Sequence, residues 1–451
     1  GIWALIAVLT FSCDNYLEER PSKNIVVPNT VGDLRSILNA VDRMNTGSGY
    51  GLVLSDDIFT TNDGWLGYDE ASQNGYIWNG SWSAADGDFT AWTLAYSRIF
   101  TANLVLDEAE NIEPVSLQEE EELNEIKATA KFLRAFHYYE LMQLFSHPIV
   151  VEADLDREAI PLKLTPAIDE HMAKATSREV YNQMISDLES AAEVLPAMEE
   201  NVLRPSKAAC YGLLLRIYLG LREYEQALAY SERALGIKSD LMDFNAIPEL
   251  ANIPIQLYSY PIPQFNEEVI MHLQAGTSSF QFSPLTFIDT TLYGTFEEND
   301  IRKYLYFTAP DEEGRVNFVG NFSGSFQVFT GLTTGELHLS KAECQARLGR
   351  VEEAIITLNR FLESRYFVGS FIPYEASGSK EVLSKVLMER RKELIYRGLG
   401  RWADMRRLLG DADWTGSQVR TIDGIDYKVG TDPLEYIIDI PRNEKKLNGK
   451  L

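Results

Sequence analysis

The chain has 451 residues, 45% of them hydrophobic, with 67 acidic against 41 basic side chains and a formal net charge of −26. That much negative charge repels the phosphates of DNA or RNA, so no nucleic-acid partner is expected. Three cysteines are too few for a disulfide framework, and beyond the first residues no apolar run reaches the ~18 residues that a membrane helix needs.

Taken from its start, the chain opens on the apolar run Ile2-Trp3-Ala4-Leu5-Ile6-Ala7-Val8-Leu9. This run ends at Ser12 and Cys13, and the polar stretch Asp14-Asn15-Tyr16-Leu17-Glu18-Glu19-Arg20-Pro21 follows. A small residue and then a cysteine after an apolar run has the form of a bacterial lipoprotein signal. Such a signal is cleaved before the cysteine, whose thiol then carries diacylglycerol. Thr10 stands where the common motif has leucine, and a buried N-terminal strand with a chance cysteine is the competing reading. On the lipoprotein reading Cys13 is the lipid attachment site, residues 1–12 are a signal remnant outside the fold, and 13–451 form one domain.

Residues 47–87 are rich in Gly, Ser, Asn and aromatics, without a lasting helical period. Gly47-Ser48-Gly49-Tyr50-Gly51 lacks the Lys-Ser/Thr ending of a phosphate loop and reads as a turn. Between Asn62 and Trp82 stand Trp65, Tyr68, Tyr76, Trp78 and Trp82, with Asn62, Asp63, Asp69, Gln73 and Asn74 among them. Flat aromatics with amide and carboxylate neighbours suit a sugar, whose ring exposes apolar C–H faces and polar rims. Trp65 and Tyr68, next to Gly64 and Gly67, are expected to be exposed. Core packing is the alternative for each ring, and the expected role of Trp92.

Three blocks carry helical periodicity, about 89–146, 177–236 and 335–410. In the first, Leu123, Ile126, Ala130, Leu133, His137, Leu141 and Leu144 fall at three- and four-residue steps, which predicts one apolar stripe. In the second, Tyr211, Leu214, Tyr218, Tyr224, Ala227 and Ala234 have the spacing of a tetratricopeptide helix-turn-helix, with the turn at Gly220 to Glu223. In the third, Ala342, Leu348, Gly349, Ala354, Leu358 and Phe361 repeat the pattern, Gly349-Arg350 breaking the helices. About four helix pairs follow, interrupted rather than tandem. Between the second and third blocks, residues 253–330 form a second irregular insertion, in which Ser325-Phe326-Gln327-Val328-Phe329 alternates like a strand. Phe280 to Tyr306 is a second candidate ligand strip. Long irregular segments on a helical scaffold are where binding sites sit.

Cys210 and Cys344 fall in helical patterns as inert buried thiols. The histidines, His137, His147, His171, His272 and His338, have no metal-ligand spacing, so neither metal nor cofactor is expected. Glu389, Glu393 and Arg397 lie one helical turn apart, with Arg401 and Trp402 following. They predict a structural ion-pair cluster along one helix face, shielded by Trp402, rather than an active site.

Several segments, in order along the chain, resemble one family, the SusD/RagB lipoproteins of Bacteroidetes-type bacteria. Cys13 to Pro21 is similar to that family's mature N-terminus. Ala130 to Tyr139 resembles its second repeat helix, and Arg204-Pro205-Ser206-Lys207-Ala208-Ala209 the start of its third repeat. Glu389 to Arg407 is the most specific segment, and Ile440-Pro441-Arg442-Asn443-Glu444 resembles the closing one. Gly398-Leu399-Gly400-Arg401 is one residue longer than the usual link. The resemblance implies a mostly α, SusD-like α/α superhelix lipid-anchored on the outer face of the outer membrane. It further implies a non-catalytic lid that captures an oligosaccharide, or a peptide in some members, for a SusC-like TonB-dependent transporter. Two other readings compete with it. A tetratricopeptide interaction scaffold needs an uninterrupted 34-residue period, and a helical glycoside hydrolase needs two carboxylates about 5 to 10 Å apart across a cleft.

Overall fold

The computed structural model describes residues 28–79, 90–167, 172–376, 378–412, 414 and 416–451. Residues 1–12, Cys13, Trp82 and His171 lie outside these. The long helices are α1 Val31–Leu38, α2 Thr90–Ala109, α3 Leu117–Phe145, α4 Ser177–Val194, α5 Lys207–Gly220, α6 Tyr224–Ile237, α7 Thr334–Arg347, α8 Val351–Glu363, α9 Ser379–Glu393 and α10 Gly400–Leu408.

A shared local signature starts three of them. Ser116, Thr176 and Thr333 each accept a hydrogen bond from the backbone of Glu119, Glu179 and Glu336, three residues on. The hydroxyl satisfies a first-turn N–H that has no helical partner, and the glutamate sits at the positive end of the helix. The helices then stack serially. α2 packs on α3, α3 on α4, α4 on α5, α5 on α6, α6 on α7, and α7 on both α8 and α9. This is the mostly α superhelix of helix pairs expected from the sequence, with tight hairpins at α2/α3, α5/α6 and α7/α8.

Small residues allow the close approach. Ala227 and Ala234 of α6, and Ala342 and Ala354 of α7 and α8, are fully buried. The two best-matched hairpins turn through one left-handed residue at equivalent places, Gly349 (φ 77°) and Arg222 (φ 63°). Arg222 lacks glycine's freedom there, and its guanidinium is tied to the Arg407 carbonyl and to Asp411.

α3 departs from expectation. Its apolar positions do not form one stripe, since every residue from Ala128 to Phe145 except Lys131 is buried. It runs through the middle of the superhelix and needs apolar or paired side chains all round. No described helix is long and apolar enough to cross a membrane.

The irregular region packs on one side around a second core of its own, containing Phe280, Phe296, Tyr306, Phe307, Phe322 and Phe329. Residues 47–79 hold helices of five to seven residues, two of them capped by Thr61 and Asp69. Ile58–Thr60 pairs antiparallel with Thr286–Ile288, which ties the two insertions together. Ser325 to Phe329 is not a strand. The Asn321 amide donates to the carbonyls of Ser325 and Gln327 and accepts from Phe329 N, taking up groups that a strand partner would need. Near the C-terminus, Gln418–Ile422 and Ile425–Val429 form a hairpin across Asp423-Gly424, both left-handed as a two-residue turn requires.

Candidate functional site

Glu389 and Glu393 lie in a buried set of ion pairs whose partners come from far along the chain. Arg302 binds Asp300 at 2.8 Å and Glu389 at 2.5 Å, and Lys392 binds Asp300 at 2.7 Å. Arg365 bridges Glu268 at 2.7 Å and Glu393 at 3.0 Å. Burial alone would raise the Glu389 carboxyl, but Arg302, Lys392 and Lys385 outweigh it and hold it down to about 2.

Arg397 is only weakly part of this pairing. Its nearest carboxylate oxygen, on Glu393, is 4.0 Å away, and its guanidinium lies 3.6 Å over the Phe322 ring. Arg401 instead forks onto Asp56, with bonds of 2.6 and 2.7 Å. Trp402 does not shield the pairs. Its Nε1 donates to the Gln143 carbonyl at 2.9 Å and its ring stacks on Tyr436, so it wedges α3 against the C-terminal segment. These charges bind one another.

Of the candidate aromatics, Tyr68, expected to be exposed, is buried, and Trp65, expected likewise, is half-buried. Tyr68 and Tyr76 are 5% and 2% exposed. The Tyr68 hydroxyl pairs with Thr286 Oγ1 at 2.5 Å, and Tyr76 Oη accepts from Thr60 N at 3.1 Å. Trp65 and Trp78 are half-buried, with their indole N–H groups given to the carbonyls of Gln73 and Leu54. Gly64 explains the error. It does not open a loop but lets Leu285 and Thr60 approach, since a β-carbon there would lie 2.8 Å from the Leu285 Cβ. Trp92 is buried against Phe145, as expected.

The open aromatic surface lies across the irregular region. Leu257, Tyr258, Tyr260, Gln281, Ser283, Thr286, Asn317, Phe318, Asn321, Phe326 and Tyr396 line one cleft. Tyr258 and Phe326 stand at its rim, 55% and 48% exposed, and Phe326 packs on exposed Phe282 with ring centres 5.4 Å apart. Inside, Phe318 and Tyr396 stack at 4.8 Å, their planes 23° apart. Tyr258 and Tyr396 both adopt left-handed backbone, with φ of 66° and 61°. For a bulky residue this costs ~1–2 kcal/mol, and such strain concentrates at ligand clamps. Part of the hold on Tyr258 is the bond from its hydroxyl to the Phe282 carbonyl, at 3.1 Å.

The polar groups of the cleft are of two kinds. The Asn317 amide nitrogen donates to the carbonyls of Pro284 and Thr286, which fixes the group and leaves Oδ1 without a donor among the described residues. Asn321 is consumed by its own turn. The hydroxyls of Tyr260 and Tyr396 have no hydrogen-bond partner among the described residues, and burial pushes both phenols up. Of the two strips expected from sequence, the second supplies Gln281, Ser283 and Thr286. The first acts from behind, Tyr68 bracing Thr286 and touching Phe280 edge-on. Tyr258, Tyr260, Asn317, Phe318, Phe326 and Tyr396 belonged to neither.

Cys210 and Cys344 are buried, and burial raises both thiols, that of Cys344 to about 12. Among the described residues no group of three or more His, Cys, Asp or Glu could hold a metal ion.

Residues 15–219 match the model of a SusD-like family described as starch-binding and associating with the outer membrane. A SusD-like protein of Formosa agariphila is 28% identical over 264 residues, 55% of this chain and 48% of that one, so the match spans about half the length of that relative. Among solved structures, a SusD superfamily protein of Bacteroides fragilis aligns with TM-score 0.72 at 20% identity, covering 94% of this chain and 99% of its own. One from Bacteroides thetaiotaomicron gives 0.74 at 18%, covering 93% and 98%. Surface glycan-binding protein A of Bacteroides fluxus gives 0.66 at 19%, covering 93% and 97%.

Proposed function

We propose that this chain, SusD-like in sequence and in fold, captures an oligosaccharide or polysaccharide at the Tyr258–Tyr396 cleft and hands it to a SusC-like TonB-dependent transporter. Cys13 carries the lipid that holds the chain on the outer face of the outer membrane, and the folded body works as a lid without covalent chemistry. One observation carries the reading. The cleft joins rigid aromatic faces, which suit the C–H faces of a sugar ring, to hydroxyl and amide groups with spare hydrogen-bonding capacity. Its described lining holds no carboxylate, so the pair that glycoside hydrolysis needs is not supplied there.

Calorimetric titration of a glycan panel tests the site. Tyr258→Ala and Phe326→Ala each remove an exposed ring and should weaken binding by about tenfold or more, ~1.4 kcal/mol, without moving the thermal midpoint. Unchanged affinity in both overturns the assignment. For the anchor, labelled-palmitate incorporation should vanish in Cys13→Ala and the chain should leave the membrane fraction. A variant that stays equally bound rules the lipid out.

A further inference from the structure

We infer that the portion of the ligand held by the cleft is uncharged, a neutral polyol rather than a uronate, sulfated or amino-sugar polymer. The inference rests on the reading of the cleft as a glycan site and narrows it to a substrate class. Nearly a quarter of the chain is charged, yet no Asp, Glu, Lys, Arg or His stands among the residues lining this cleft. Sulfate and carboxylate groups are recognised by arginine and lysine, because only a charged donor repays the loss of their hydration. The cleft offers none.

Arg397, next to Tyr396, has its guanidinium over the Phe322 and Phe329 rings and lines a separate cavity with Glu336 and Asp404. Two further charges near the cleft segments, Arg315 and Asp69, are already engaged. Arg315, two residues before Asn317, is held by Asp311 and Glu313, both at 2.7 Å. Asp69 reaches Ser279, two residues before Gln281, and accepts from it and from Ser72. Neither is left for a ligand ion. Beyond the cleft, the net charge of −26 adds a repulsive field for any polyanion.

The unpartnered groups match a neutral sugar instead. The Tyr260 and Tyr396 hydroxyls can donate and accept, and Asn317 Oδ1 accepts, which is the complement of a hydroxyl-bearing ring. Each keeps the same capacity whatever the salt concentration.

The test uses the purified chain and four probe classes: neutral hexasaccharides (malto-, cello-, xylo- and mannohexaose), oligogalacturonate and sulfated carrageenan hexasaccharides, glucosamine hexamers, and a peptide library. The expected result is binding of a neutral hexasaccharide, with a Kd that shifts less than about twofold between ~20 mM and ~500 mM NaCl. Tyr260→Phe and Tyr396→Phe, which delete only the hydroxyls, should each weaken it about two- to tenfold at unchanged thermal midpoint. Tighter binding of a uronate, sulfated or glucosamine oligomer that Tyr258→Ala abolishes overturns this inference and leaves the glycan reading standing. Binding of peptides alone overturns the glycan reading as well, and so does binding of no class.

Discussion

Glu393 shows how a single side chain can hold distant parts of this molecule. It receives Arg365 from the segment after α8 and Arg302 from the irregular region, all three side chains fully buried. Removing one partner of such a set leaves charges stranded in low dielectric. Glu393→Ala should therefore cost about 3–5 kcal/mol in urea unfolding, more than loss of an exposed pair. His272 sets a different dependence. Its ring is wedged edge-on between Phe265 and Phe329, and burial lowers its pKa from 6.5 to about 4. The unfolded chain takes up that proton first, so its contribution is whole above pH 6.5 and is lost as pH falls towards 4. Asp57 works in the opposite sense. Burial and the neighbouring Asp56 raise it to about 6 against the pull of Arg391 and Arg401, so acid relieves it. The clean measurement is therefore a difference between proteins. His272→Leu should show a shallower fall of thermal midpoint between pH 6.5 and 4 than the parent, and an equal slope would refute the assignment.

The helix pairs were legible in the sequence because their signals are local. A capping hydroxyl with a glutamate three residues on, a buried alanine and a left-handed turn residue all fall within a few turns of one another. Ala227 is the sharpest case. It is fully buried in α6, which packs on both α5 and α7, so Ala227→Leu should destabilise by about 1–3 kcal/mol in thermal or urea unfolding. The cleft was not legible, because its lining is drawn from four separate segments, around 257–260, 281–286, 317–326 and at Tyr396. Tyr396 sat unnoticed beside Glu393 and Arg397 in the segment that the ion pairing had already explained. Tyr68 was misread for a related reason. A glycine four residues before it signals a loop in sequence, whereas here Gly64 marks contact with Leu285, more than 200 positions on. The same distance hid Arg302, Arg365 and Glu268 from any inspection of α9.

Across the whole molecule, residues 53–57 are gripped by the C-terminal part of the chain. Arg391 and Arg401 bind Asp57 and Asp56, while Arg420, from the hairpin, donates to the carbonyls of Val53, Ser55 and Tyr76 and lies over the rings of Tyr76 and Trp78. Arg420→Ala strands three buried acceptors. It should raise amide exchange across residues 53–78 selectively, with α3 and α5 staying protected. Uniform loss of protection would mean that the hairpin supports the whole fold instead.

That grip also fixes an order of events. Arg420 and Val53 are 367 positions apart, and the strip between them includes Tyr68, the brace behind the cleft wall at Thr286. A chain that is made, or threaded through a membrane, from its N-terminus cannot set that wall until the hairpin has emerged. On the proposed function, capture of ligand is then among the last abilities the molecule acquires. Chains cut short of the hairpin, even with every helix pair in place, would then lack the set cleft wall that the proposed binding needs.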